Sequence, residues 1–205
     1  EGLNDGHCLF PFPSDYYRAE VDGKASLVFG PEALPLTSTG ERLDAEPFRA
    51  HDGYSNITPV MFRFDGGSLE GLNGIWNIAG SLSDDSRTVV IDAETGERVA
   101  HWAEQDHFTI EAGTPVYTLR FAQALAFDRR YIVAVRGLVD DAGGLLDADP
   151  GFAALRDQTA STVRGVHARR AHFEQMVFGP LDAAGIERAS LQLAFDFTTA
   201  SEEHA

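Results

Sequence analysis

The sequence predicts a mainly β protein: a β-sandwich with one long helix near its C-terminus and a proline-rich N-terminal segment. Three observations carry this. Apolar residues alternate with polar ones in several short runs, Gly- and Asp-rich turns separate those runs, and only one stretch shows a sustained helical period. Strands at fairly regular spacing with few helices favour packed antiparallel layers over alternating βαβ units.

The first sixty residues contain Pro11, Pro13, Pro31, Pro35, Pro47 and Pro59. Proline denies a sheet its N–H donors, so residues 1–59 are expected to form ordered loop and short strand packed on a body spanning 60–205, the whole making one structural domain. Within that segment, Pro11 and Pro13 fix two φ angles, which lets Phe10, Phe12, Tyr16 and Tyr17 pack at low entropic cost. This elbow reads as a structural plug or as one wall of a binding groove. A helical turn is expected over Ala45–Ala50.

The body begins with a half-buried strand in which Val60, Phe62 and Phe64 share one face. Residues 87–102 read as a hairpin, two apolar arms around Asp-Ala-Glu-Thr-Gly. Tyr117, Leu119 and Phe121 mark the next strand. The run from Tyr131 to Val135 is apolar on both faces, as a strand in the middle of a packed layer should be. A turn through Gly143-Gly144 leads to a helical turn over Pro150–Asp157. The helical insertion, about 161–185, has Val166, Phe173, Met176 and Val177 near one stripe, with Arg164, Arg169, Arg170 and Glu174 available to solvent. Gly179-Pro180 should end the main helical run, Pro180 can open a last turn, and Gly185 can cap it. The final strand sets Leu191, Leu193, Phe195 and Phe197 opposite Gln192, Ala194, Asp196 and Thr198.

Composition narrows function by exclusion. The formal net charge is −16, from 32 acidic residues against 16 Lys and Arg, of which Lys24 is the only lysine. Polyanions are repelled at long range by such a chain, which disfavours nucleic acid and anionic membrane surfaces as partners. No run of 18 apolar residues occurs, so direct membrane insertion is not expected. The start at Glu1 reads as a processed or trimmed end, and the single Cys8 as a buried or unpaired thiol, the alternatives being a bridge to a missing partner segment or a lipid-modified or reactive Cys.

No Gly-x-Ser-x-Gly pentapeptide occurs, and Ser14, between Pro13 and Asp15, reads as a turn or helix cap rather than a nucleophile. His101, Glu104, Asp106 and His107 invite a metal reading, and a metal-dependent enzyme using His101, Asp106 and His107 is kept as a third hypothesis. Along a straight strand, however, the two histidines would lie about 20 Å apart, too far to share one ion, so these residues read as surface residues of the hairpin. The loop after residue 139 fails the EF-hand spacing, because Ala142 and Gly144 fall where oxygen ligands are needed; an irregular Ca²⁺ site at Asp147 and Asp149 stays open. His167 and His172 are five residues apart, off the spacing of helical zinc pairs, and read as surface or interface residues. Asp52, Gly53 and Asn56 suit a capped turn. No residue is therefore assigned a catalytic, cofactor-binding or metal-binding role, and no cofactor is implied.

Four segments in order, PFPSDYY, HDGYSNITPV, RRYIVAVRGLVDDAGG and SLQLAFDFTTAS, resemble the N-terminal region of large secreted or surface bacterial lipase-like proteins. The similarity runs from Pro11 to Ser201, and Tyr54 stands where the family usually has Phe. The resemblance implies an Ig-like sandwich, export to the cell surface, periplasm or medium, and a serine-hydrolase domain following in the same precursor. It transfers no catalytic residue to these 205 positions. The expected function is thus a non-catalytic module that supports or gates a downstream catalytic domain. The alternative is a stand-alone extracellular or cell-envelope ligand-binding module.

Overall fold

Alternating residues bury one face only if a second layer meets it, and two three-stranded sheets meet here. The computed structural model describes residues 9–30, 33–111, 113 and 115–204; Cys8 lies outside them. The N-terminal segment contributes a small hairpin, β1 (Arg18–Val21) and β2 (Lys24–Leu27). The main strands are β3 (Val60–Arg63), β4 (Thr88–Asp92), β5 (His101–Gln105), β6 (Val116–Phe121), β7 (Arg130–Arg136) and β8 (Leu191–Thr198). They form two antiparallel sheets ordered β3-β6-β5 and β4-β7-β8. The fold is β-rich, as the alternation predicts.

In the first sheet Phe62 pairs with Tyr117 and their rings stack at 5.2 Å; both side chains are fully buried. In the second, β7 is the middle strand and Ile132 to Val135 are wholly inaccessible, which explains a sequence apolar on both faces. The sheets touch through Phe121 and Phe197, with ring centroids 6.4 Å apart, and through a 2.9 Å hydrogen bond between Thr88 and His101.

The hairpin expected over residues 87–102 forms only at its tip. Asp92 N donates to Glu97 O and Val99 N to Val90 O, after which the arms part and β4 joins β7 while β5 joins β6. Each arm gains a five-residue ladder in its own sheet, so the connection becomes a corner between layers.

Four short helices follow β5 and β7: α1 (His107–Glu111), α2 (Pro150–Arg156), α3 (Val166–His172) and α4 (Gly179–Ala183). Asp149 caps α2 by accepting from Gly151 N at 2.9 Å, with Pro150 in the first turn. Asp149→Ala is expected to cost about 1 kcal/mol, a fall of roughly 2–4 °C in a thermal melt, with the far-ultraviolet spectrum unchanged.

The long helix differs from expectation at both ends. It starts at Val166, after Gly165, not near Ser161, and the backbone stays helical through Gly179-Pro180, although Pro180 does open the last turn, α4, as expected. A π-helical turn over Phe173–Phe178 joins α3 to α4. Pro180 has no N–H to offer the Met176 carbonyl four residues back, and Arg130 Nη1 from β7 donates to that carbonyl at 2.6 Å instead. The Met176 side chain, expected on the buried stripe, is 38% exposed. The wider turn rotates it away while Phe173, Val177 and Phe178 stay buried. Gly185, at φ +75°, caps the end: its N–H reaches Asp182 O and Ile186 N reaches Leu181 O.

Every residue of β8 is buried, including those on its polar side. On that side, Ile132 and Ala134 of β7 pair with Asp196 and Ala194, and α2 and the π turn cover the strand. The outer face of this sheet is thus roofed by helices, which places Gln192, Asp196 and Thr198 beneath cover.

Candidate functional site

The elbow 11–17, the turn 51–56 and the end of β8 are distant in sequence and meet in space. Phe12 pairs with Met61 at the edge of β3, and both Phe10-Pro11 and Phe12-Pro13 are cis peptides. Ser14, 1% exposed, caps a single 3₁₀ turn over Asp15–Tyr17 by accepting from Tyr16 N at 3.3 Å, the capping role its sequence context predicts. Asp15 reaches across to β8, where one carboxylate oxygen accepts from Thr198 N at 2.9 Å and the other from Thr198 Oγ1 at 2.6 Å.

The second segment binds the same strand end. Tyr54 N donates to Thr198 O, and Ala200 N donates to Tyr54 O at 2.7 Å. Asp52 accepts from Ser201 N at 3.0 Å, Arg18 Nε donates to Asp52 O at 2.7 Å, and Asn56 Nδ2 donates to Leu125 O at 3.1 Å. These residues were expected to cap their own turn; they stitch it to distant backbone instead. Tyr54 uses its hydroxyl, which donates to Ser14 O at 2.6 Å while its ring meets Phe12 edge-on at 5.4 Å.

One position farther along the polar side of β8, a charged cluster lies beneath the helices. Asp196, 2% exposed, receives His172 Nε2 at 2.9 and 3.0 Å and Arg130 Nη1 at 3.2 Å. Burial and the nearby negative charge of Asp196 push the Asp15 carboxyl up to about 6, against the pull of its Thr198 bonds and Arg18. The Asp196 hydrogen bond raises His172 above the ordinary imidazole value, although partial burial opposes it. The spacing of His167 and His172 predicts surface or interface residues, and both are exposed, His172 with 42% of its side chain accessible. The bond from His172 to β8 spans 24 residues and has no local signal.

An apolar groove of about 420 Å³ adjoins the elbow on its other side. Phe12, Leu27, Phe29, Leu34, Phe48 and Tyr54 supply its walls, and His51 and His204 its polar lip. His51 Nδ1 lies 3.1 Å from the carbonyl of His204. The elbow therefore both packs on the body and forms one wall of a groove.

The remaining candidates are dispersed. His101 is fully buried between the sheets rather than on the surface; its Nδ1 must donate to Val99 O at 2.8 Å, leaving Nε2 to accept from Thr88 Oγ1. Burial lowers its pKa and keeps it neutral. Asp106 and His107 stand exposed at the start of α1, where Asp106 accepts from Thr109 N at 3.0 Å. Among the described residues, no group of three or more His, Cys, Asp or Glu side chains is placed to hold a metal ion. Asp147 and Asp149 line a shallow pocket of about 290 Å³ with Arg63 and Asp65, and Asp149 is already engaged as the cap of α2. Among the described residues no helix is long and apolar enough to cross a membrane.

No family model matches this chain, and neither a curated protein nor a solved structure matches it.

Proposed function

We propose that this chain is a non-catalytic, Ig-like β-sandwich module from the N-terminal part of an exported bacterial lipase-like hydrolase, supporting or gating a catalytic domain of the same precursor. One observation carries the reading: polar side chains of two resembling segments are committed to holding backbone. Asp15 holds Thr198, Asp52 holds Ser201, Tyr54 holds Ser14 and Asn56 holds Leu125. Side chains engaged in this way brace a scaffold. On this reading His204 at the groove lip would bring a following domain beside an apolar wall, the kind of surface a tethered partner covers.

The test is an ester-hydrolysis assay with p-nitrophenyl butyrate and decanoate on residues 1–205 alone and on the longer gene product. No turnover above buffer is expected from the 205 residues, and turnover is expected from the longer chain. Turnover by the short chain that disappears in Ser14→Ala would overturn the non-catalytic reading. The groove favours a second reading, a stand-alone cell-envelope module that binds a small apolar ligand. A stop codon directly after residue 205 would favour it.

A further inference from the structure

We propose that Asp15, Asp196, His172 and Arg130 form an acid-tightened latch, which fastens the elbow 11–17, and with it the Phe12 wall of the apolar groove, to β8 and α3. Asp15 ties the elbow to β8 through both carboxylate oxygens. Asp196 lies two residues before Thr198 on the same side of that strand, so two carboxylates share one covered strip.

The surrounding charges come from every neighbouring element. Arg18 from β1 attracts Asp15, and Arg130 from β7 pairs with Asp196. From α3, His172 contacts Asp196, while Arg169 lies over the Tyr16 and Phe173 rings at 4.9 Å and opposes a proton on His172. When Asp15 is protonated and His172 charged, Asp196 is the only anion of the two carboxylates and has two cations against it. Losing the Asp15 proton places a second negative charge in the strip; losing the His172 proton removes a positive one. Loss of the His172 proton weakens the latch directly; loss of the Asp15 proton strengthens its two Thr198 bonds, but burial and the Asp196 charge outweigh that gain, so the attachment weakens on balance.

The pH window follows from the direction of each shift. Asp15 binds its proton more tightly folded than unfolded, so its contribution is most favourable below 3.8 and is lost as pH rises toward about 6. His172 is also raised, so its stabilising contribution is complete below 6.5 and is lost as pH rises through its higher folded value. Rising pH from 4 to 8 therefore loosens the attachment throughout. The consequence reaches the groove because Ser14 O holds the Tyr54 hydroxyl and Phe12 packs on the Tyr54 ring, and both rings line the groove.

The experiment is a carboxyl-carbon NMR titration of Asp15 in residues 1–205, with exchange of the Thr198 amide, corrected for its intrinsic pH dependence, followed from pH 4 to 8. Asp15 is expected to titrate near 6, and the Thr198 opening equilibrium to rise by up to roughly a hundredfold across that range. Asp15→Asn, which keeps an oxygen acceptor for Thr198 N, should abolish the part of the rise below pH 6.5. His172→Gln should abolish the part above it. Titration of Asp15 near 4, or an opening equilibrium that does not rise with pH, would overturn the latch. Should Asp15→Asn fail to fold, the parent titration and His172→Gln still decide the matter.

Discussion

Gly53→Ala is expected to destabilise the protein by about 3 kcal/mol or more, a drop of roughly 6–12 °C in melting temperature. A Cβ at residue 53 would lie 2.6 Å from Thr199 C and 2.7 Å from both Thr199 O and Ala200 N. Those atoms are backbone, and their segment is tied on several sides. Thr198 N is held by Asp15, Thr199 N donates to Arg129 O, Ala200 N donates to Tyr54 O, and Ser201 N is held by Asp52. Relief would therefore require separating the turn from the end of β8. Gly74→Ala is the control, because nothing lies within 4 Å of its added carbon; it should change stability by no more than about 0.5 kcal/mol. A Gly53→Ala protein melting within 2 °C of the parent would show that the two backbones are not in this contact.

Phe197→Ala should cost a similar or larger amount, about 3–5 kcal/mol. The ring is fully buried, stacks on Tyr131 at 5.7 Å within its own sheet, and meets Phe121 of the facing sheet at 6.4 Å. Truncation leaves a cavity between the layers that ladder hydrogen bonds prevent from closing. Phe197→Leu keeps most of the volume and should lose about 1.5 kcal/mol or less, so the pair separates packing volume from position. Equal losses for the two variants, measured by denaturant unfolding, would refute the claim that this ring fills the space between sheets.

Both sites lie where distant segments meet, and this marks how far the sequence could be read. The alternation of Val60, Phe62 and Phe64, the doubly apolar run at Tyr131–Val135 and the helical turn over Pro150–Asp157 were all legible, because each reports burial or local propensity within a few residues, whereas the Asp149 cap was not. The hairpin over 87–102 was legible only at its turn. Two apolar arms predict that each will pair, but not with which neighbour, and here each pairs with a strand of a different sheet. Buried His101 was misplaced for the same reason: strand parity gives a face, not what lies above it. Pro180 looked like a helix stop because the rule considers only the helix's own donors, and Arg130 supplies another from β7.

The polar side of β8 is the clearest case. Read alone, Gln192, Asp196 and Thr198 mark a solvent-facing edge, and only the helical roof and the elbow turn them into buried partners of Leu138, His172 and Asp15. The bond from Asp15 to Thr198 spans 183 positions. The sequence by itself determined where most strands run and which apolar strand residues leave water, since backbone sterics and hydrophobic period act locally. Tertiary structure alone decided the strand order, the groove and the buried charge cluster, because each depends on which desolvated group finds a partner across the fold.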